Sequence, residues 1–116
     1  MMNFKVVFAA SAKEDLENIL FHIAEDSIET AFSFVDKLSG KITDTLSIAP
    51  QSGTYFGQRE NCEVRSLVLH KSYTAFYIVN ESKERVEVIS IFNNYKDNRE
   101  FWQELAEQGI IRFPQK

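Results

Sequence analysis

The chain has 116 residues, 44% of them hydrophobic and ten of them Phe, enough for one domain to bury one core without disulfides or metal staples. Its single cysteine, Cys62, excludes an internal disulfide and fits a reducing cytosol, where an idle thiol is the default over a nucleophile. The formal net charge of −4 argues against general nucleic-acid binding, which usually needs a basic surface.

The distribution of charge says more than its total. Residues 1–56 carry four lysines and eight carboxylates, whereas residues 57–116 carry nine cations and nine carboxylates. All five arginines (Arg59, Arg65, Arg85, Arg99 and Arg112) fall in the second half. Arginine is the side chain suited to bidentate contact with phosphate or carboxylate, so an anionic or protein target is expected there; ordinary solvated charge is the alternative. No segment is long enough to cross a membrane. Ala10-Ser11-Ala12 imitates a signal-peptidase site, but the apolar run before it, 6–10, is shorter than the roughly seven residues a signal core needs. The expectation is a cytosolic protein. Two separated histidines and one cysteine make no ligand spacing, so neither a metal nor a cofactor is expected.

In chain order, residues 3–9 alternate Phe4, Val6 and Phe8 against Lys5 and Val7, which predicts a strand. Ser11 then offers an N-cap, and Glu14 three residues later completes a capping box. The helix that follows stacks Ala12, Leu16, Ile19, Leu20 and Ile23 in one apolar stripe, with Glu14, Asp15 and Glu17 in its first turns. Asp26 or Ser27 starts a second helix, in which Ile28, Ala31, Val35, Leu38, Ile42, Thr45 and Ala49 recur at helical spacing with Leu46 alongside. So short a break predicts an antiparallel helical hairpin. Phe32 and Phe34 fall partly outside the stripe, as sheet contacts or exposed residues. Gly40 is a small cost inside the helix, and Pro50 and Gly53 end the helical region.

After a polar stretch, 51–61, the period changes to two. Three strands are predicted over 64–69, 73–79 and 85–92, joined by short turns at 71–72 and 80–83 into an antiparallel meander. The middle one is apolar on both faces and belongs at the centre. In the last, Val86 and Val88 point one way while Arg85 and Glu87 point the other. A third helix over 97–108, anchored by Phe101, Leu105 and Trp102, stops at Gly109. With no repeat, linker or low-complexity tract, residues 1–116 read as a single α+β domain: an N-terminal strand, a two-helix hairpin, a three-stranded meander and a C-terminal helix.

These pieces, in this order, resemble the RelE/ParE toxin superfamily. The first motif is carried by the opening strand with Ala12, Asp15-Leu16, Ile19 and Ile23. The second is carried by Ala31, Phe34, Leu38, Ile42 and Leu46, then Pro50 and Gly53. The strand block is Val64-Arg65-Ser66-Leu67, Tyr73, Phe76-Tyr77, Val79 and then 86–92. The resemblance covers about residues 3–99. It implies a cytosolic toxin of a type II toxin–antitoxin system, silenced by a cognate antitoxin that lays a disordered segment over it and folds as helix and added strand. An apolar groove beside the hairpin and an open sheet edge suit that mode, and the acidic helical half complements a basic antitoxin segment.

The superfamily offers two activities. RelE-like members cleave messenger RNA on the ribosome, which requires a group that takes the 2′-hydroxyl proton and cations that stabilise the phosphate. Arg65 matches the strand arginine of that motif, and Tyr95, Lys96 and Arg99 follow the last strand where other active-site groups of the family lie. The basic run expected before the arginine strand is replaced by Arg59, Glu60 and Glu63, and neither His22 nor His70 is placed as a base. Arg65 reads equally well as a strand arginine that holds a loop carbonyl or a carboxylate, and Tyr95, Lys96 and Arg99 as a solvated helix entry. ParE-like members inhibit DNA gyrase by protein contact without catalytic residues. The missing basic cluster and the long hairpin favour this branch, with plasmid stabilization and growth arrest as its implied setting. Ribosome-dependent RNA cleavage is the first alternative, and a repurposed binding protein without toxicity the second.

Overall fold

The computed structural model describes residues 3–69 and 73–93. Strand β1 (Lys5–Phe8) leads directly into helix α1 (Ala10–Ala24), followed by α2 (Ile28–Ile48), β2 (Thr54–Arg59), β3 (Cys62–Leu69), β4 (Tyr73–Asn80) and β5 (Arg85–Asn93). The five strands form one sheet in the order β1-β5-β4-β3-β2, with β1 parallel to β5 and every other pair antiparallel. The expected α+β arrangement of strand, helical hairpin and meander is therefore present. The expected helix over 97–108 and the turn at 71–72 lie outside the described residues.

Several local details differ from the expectation. The meander has a fourth strand, because the polar stretch over 51–61 contains β2 and a two-residue turn. That turn, Glu60-Asn61, has φ of 49° and 69°, the double left-handed geometry that tightens a hairpin in step with strand twist. Ser11 is not the cap of α1. The amide of Ala9 still bonds to Val88 O at 2.8 Å, extending the pairing of β1 with β5, and its own carbonyl accepts the first helical bond from Lys13. The helix thus starts at Ala10, and the Ser11 hydroxyl donates to Ile89 O on the sheet. With that start no carboxylate lies in the first turn.

At α2 the cap is Ser27, whose Oγ accepts from the Thr30 amide. Of the expected stripe, Ala31, Leu38, Ile42 and Leu46 are buried, whereas Ile28 and Ala49 are exposed at the helix ends. The two ambiguous phenylalanines divide: Phe34 packs a tilted ring on Tyr73 at 5.6 Å, and Phe32 is 57% exposed.

Both faces of the sheet carry apolar side chains. The helices lie on one face, over Tyr73, Ala75, Tyr77 and Val79 of β4, Val86, Val88 and Ile91 of β5, and Leu69 of β3. The far face holds Val64, Phe76, Ile78, Ile89 and Phe92, with Phe76 stacked on Phe92 and edge-on to Phe56. β4 supplies both layers and is buried along seven successive residues, as expected of the central strand. A bulge lets β5 do the same: Tyr77 pairs with Val88 but Phe76 with Ser90, so the extra residue at Ile89 reverses the parity. Val86, Val88 and Ile91 then face the helices, while Ile89 and Phe92 face away.

Candidate functional site

Arg65 is the one sequence-selected candidate within the described residues; Tyr95, Lys96 and Arg99 lie outside them. It sits in the middle of β3, paired with Tyr55 on β2 and Tyr77 on β4, so its side chain shares the helix-bearing face with Tyr77. The guanidinium is heavily engaged. Nε donates to Glu63 Oε2 at 2.9 Å, while Nη1 donates to Gly53 O at 2.8 Å and to Gln51 O at 3.4 Å. The Tyr55 ring lies beneath it with its centroid 6.0 Å from Cζ, the outer limit of a cation–π contact. The side chain is only 16% exposed.

Tyr77 completes this station. It is fully buried, and its hydroxyl accepts the Gly53 amide at 2.9 Å. Burial pushes its pKa up, opposed by the Gly53 amide and by the positive charge of Arg65, both of which favour the phenolate. Gly53 could not carry a side chain here: a Cβ would meet Ser66 O and Tyr77 Oη at 2.5 Å each. The Pro50–Gly53 and Val64-Arg65-Ser66-Leu67 segments, distant in sequence, are therefore two sides of one contact. Arg65 and Tyr77 fix the path by which the chain leaves α2 and enters β2.

A second polar tie joins α1 to the sheet. Asp15 Oδ2 accepts from the Ile91 amide at 2.9 Å and from Ser90 Oγ at 3.1 Å, just past the β5 bulge. It lines a cavity of about 400 Å³ with Asn18, His22, Tyr73 and Asn93. His22 is thus placed with these groups of α1 and the strand ends rather than beside Arg65, and His70 lies outside the described residues. The sequence showed Asp15 as helix-dipole chemistry and as part of the first motif, but not its tie to the sheet; the available signal was a carboxylate between Ala12 and Ile19 on the buried side of the stripe.

Cys62 is half-buried on the far face, and its thiol shares a cleft with Arg59 and Arg85. No cluster of three metal-ligating side chains occurs among the described residues. Nor, among them, is any helix long and apolar enough to cross a membrane.

A mixed sheet capped on one face by a helical hairpin, with its strand arginine bonded into the loop after the second helix, defines a small toxin-like α+β domain. The chain belongs to the ParE toxin family of type II toxin–antitoxin systems (parDE), whose family model matches residues 6–97. Its fold is shared with the chromosomal ParDE system of P. aeruginosa at a TM-score of 0.60 and 18% identity, covering 78% of this chain and 95% of that one. The isolated RelE toxin of E. coli aligns at a TM-score of 0.54 and 19% identity, over 90% and 97% of the two chains. The RelBE2 toxin–antitoxin complex of Mycobacterium tuberculosis aligns at 0.51 and 17%, over 83% and 97%. No curated protein matches the chain in sequence.

Proposed function

We propose that this protein is the growth-arresting toxin of a type II pair, that it acts on DNA gyrase by protein contact, and that a cognate antitoxin silences it in the cytosol. The observation that carries the gyrase reading is the commitment of Arg65. An arginine that stabilises a scissile phosphate needs free donors aimed at the oxyanion. Here Glu63 neutralises the charge at 2.9 Å, two loop carbonyls hold Nη1, and the group faces the helical layer. A phosphate bound through Nε or Nη1 would compete with Glu63 and the loop carbonyls, and each such buried bond lost costs about 1–3 kcal/mol.

The antitoxin reading is supported by the hairpin surface. Phe21, Ile28, Phe32 and Ile48 are all more than half exposed on the two helices, among the eight carboxylates of residues 1–56. A basic amphipathic segment would cover the apolar groups and meet the acidic fringe, as expected for a chain that folds on binding. The solved relatives include an intact E. coli RelBE toxin–antitoxin complex.

Supercoiling of relaxed plasmid by purified gyrase tests the proposal. Micromolar toxin is expected to block it, and prior addition of the antitoxin to restore it. Unaffected supercoiling, with ribosome-dependent cleavage of messenger RNA instead, would replace this reading by the nuclease one.

A further inference from the structure

The far face of the sheet carries a row of cations that form no ion pair among the described residues. Strand register places Lys5 beside Arg85, Arg85 beside Asn80, and Arg59 beside Cys62, one residue from each strand on the same face at one end of the sheet. Lys83, on the β4–β5 turn, adds a fourth cation. The cleft between Arg59 and Arg85 has a volume of about 260 Å³ and a floor formed by Cys62 and Ile78. None of Lys5, Arg59, Lys83 and Arg85 forms an ion pair with a described residue, in contrast to Arg65.

We propose that this row is a docking groove for an extended acidic peptide segment of a partner protein, with two carboxylates flanking one apolar side chain. Spacing and charge select this occupant. Arg59 and Arg85 stand three strand steps apart, about 14 Å, which is too far for a single phosphate or carboxylate to bridge. It equals the span of four residues of extended chain, about 3.4 Å each, so side chains at positions one, three and five point the same way. Acidic residues at positions one and five reach the two arginines, and an apolar residue at position three meets Cys62 and Ile78. Glu60 and Glu87 line the same cleft. They repel a continuous phosphate backbone, which disfavours nucleic acid. The groove does not depend on the gyrase reading, because binding here is measured without gyrase.

The test is fluorescence anisotropy of the full chain with a labelled peptide whose core is Glu-Thr-Val-Thr-Glu. Saturable binding is expected, weakened by salt and by replacing both peptide glutamates with glutamine. The R59Q/R85Q variant should bind tenfold or more weakly, at about three- to fivefold for each exposed charge pair lost. A K37Q/K41Q control on α2 should bind like the parent. Circular dichroism checks folding, and K5Q/K83Q, with the same direction of effect, stands in if the arginine variant does not fold. No saturation up to about 1 mM peptide, or equal affinity in R59Q/R85Q, overturns the proposal. Tighter binding of a single-stranded oligothymidine of equal charge overturns it in favour of a nucleic-acid surface.

Discussion

At the scale of single residues, two glycines respond oppositely to a methyl group. Gly53 has carbonyl and phenol oxygens where its Cβ would stand, so G53A must push β3 from the loop and is expected to lose about 1–3 kcal/mol. Gly40 lies within α2 with nothing within 4 Å of an added Cβ, so G40A should gain about 0.5–1 kcal/mol from helix propensity. Thermal melts of the two variants should move in opposite directions; equal shifts would contradict the loop contact. Tyr77 gives a prediction with a pH signature. Its folded pKa is raised above the ordinary 10.0, so the folded state holds the phenol proton more tightly than the unfolded state does. That stability is complete below pH 10 and declines as pH rises through 10 towards the folded pKa. Y77F should lose about 1–3 kcal/mol at neutral pH, since the Gly53 amide is left unpartnered, and its alkaline decline should be shallower than the parent's. Chemical denaturation at pH 7 and above pH 10 measures both; a parallel decline in the two proteins would show that Tyr77 is not the titrating group.

At the scale of elements, α1 is pinned to the sheet by a carboxylate as well as by its apolar stripe. D15A removes the acceptor for the Ile91 amide and the Ser90 hydroxyl. It should cost about 1–3 kcal/mol and raise amide exchange selectively at Ile91. An unchanged exchange rate there would mean that the sheet holds its end without α1. The elements also show what a sequence can display. Seven apolar or small residues without alternation marked β4 as central, and Asp26 or Ser27 before an apolar helical period marked the start of α2, where Ser27 proves to be the cap. β2 was hidden because it is an edge strand: Gly57, Gln58 and Arg59 look like loop, and the bulge at Phe56 breaks the two-residue period. Ser11 with Glu14 had the spacing of a capping box, but pairing of β1 with β5 fixes Ala9 and leaves Ser11 inside the first turn. In β5 the run from Val86 to Phe92 gives no sign of where parity reverses, because that depends on a partner strand. Arg65 was legible as a landmark with two roles; only the Gly53 and Gln51 carbonyls, brought in from a distant segment, show which donors are committed.

At the scale of the whole molecule, the two faces of the sheet have different work. The helix-bearing face buries the loop contact around Arg65 and Tyr77 and places exposed aromatic groups on the outside of the hairpin. The far face carries an aromatic cluster and, at one end, the cations that form no ion pair with a described residue. On this account Arg65 holds the fold together and the toxin acts through its surface. Lysine keeps the charge but lacks the planar fork that serves Glu63 and two carbonyls together, so R65K should melt lower than the parent without losing its target. The most direct measurement is gyrase supercoiling with parent and R65K toxin, at a temperature where circular dichroism shows both folded. The account predicts that both proteins block supercoiling at similar micromolar concentrations. Supercoiling left intact by the parent protein would contradict it.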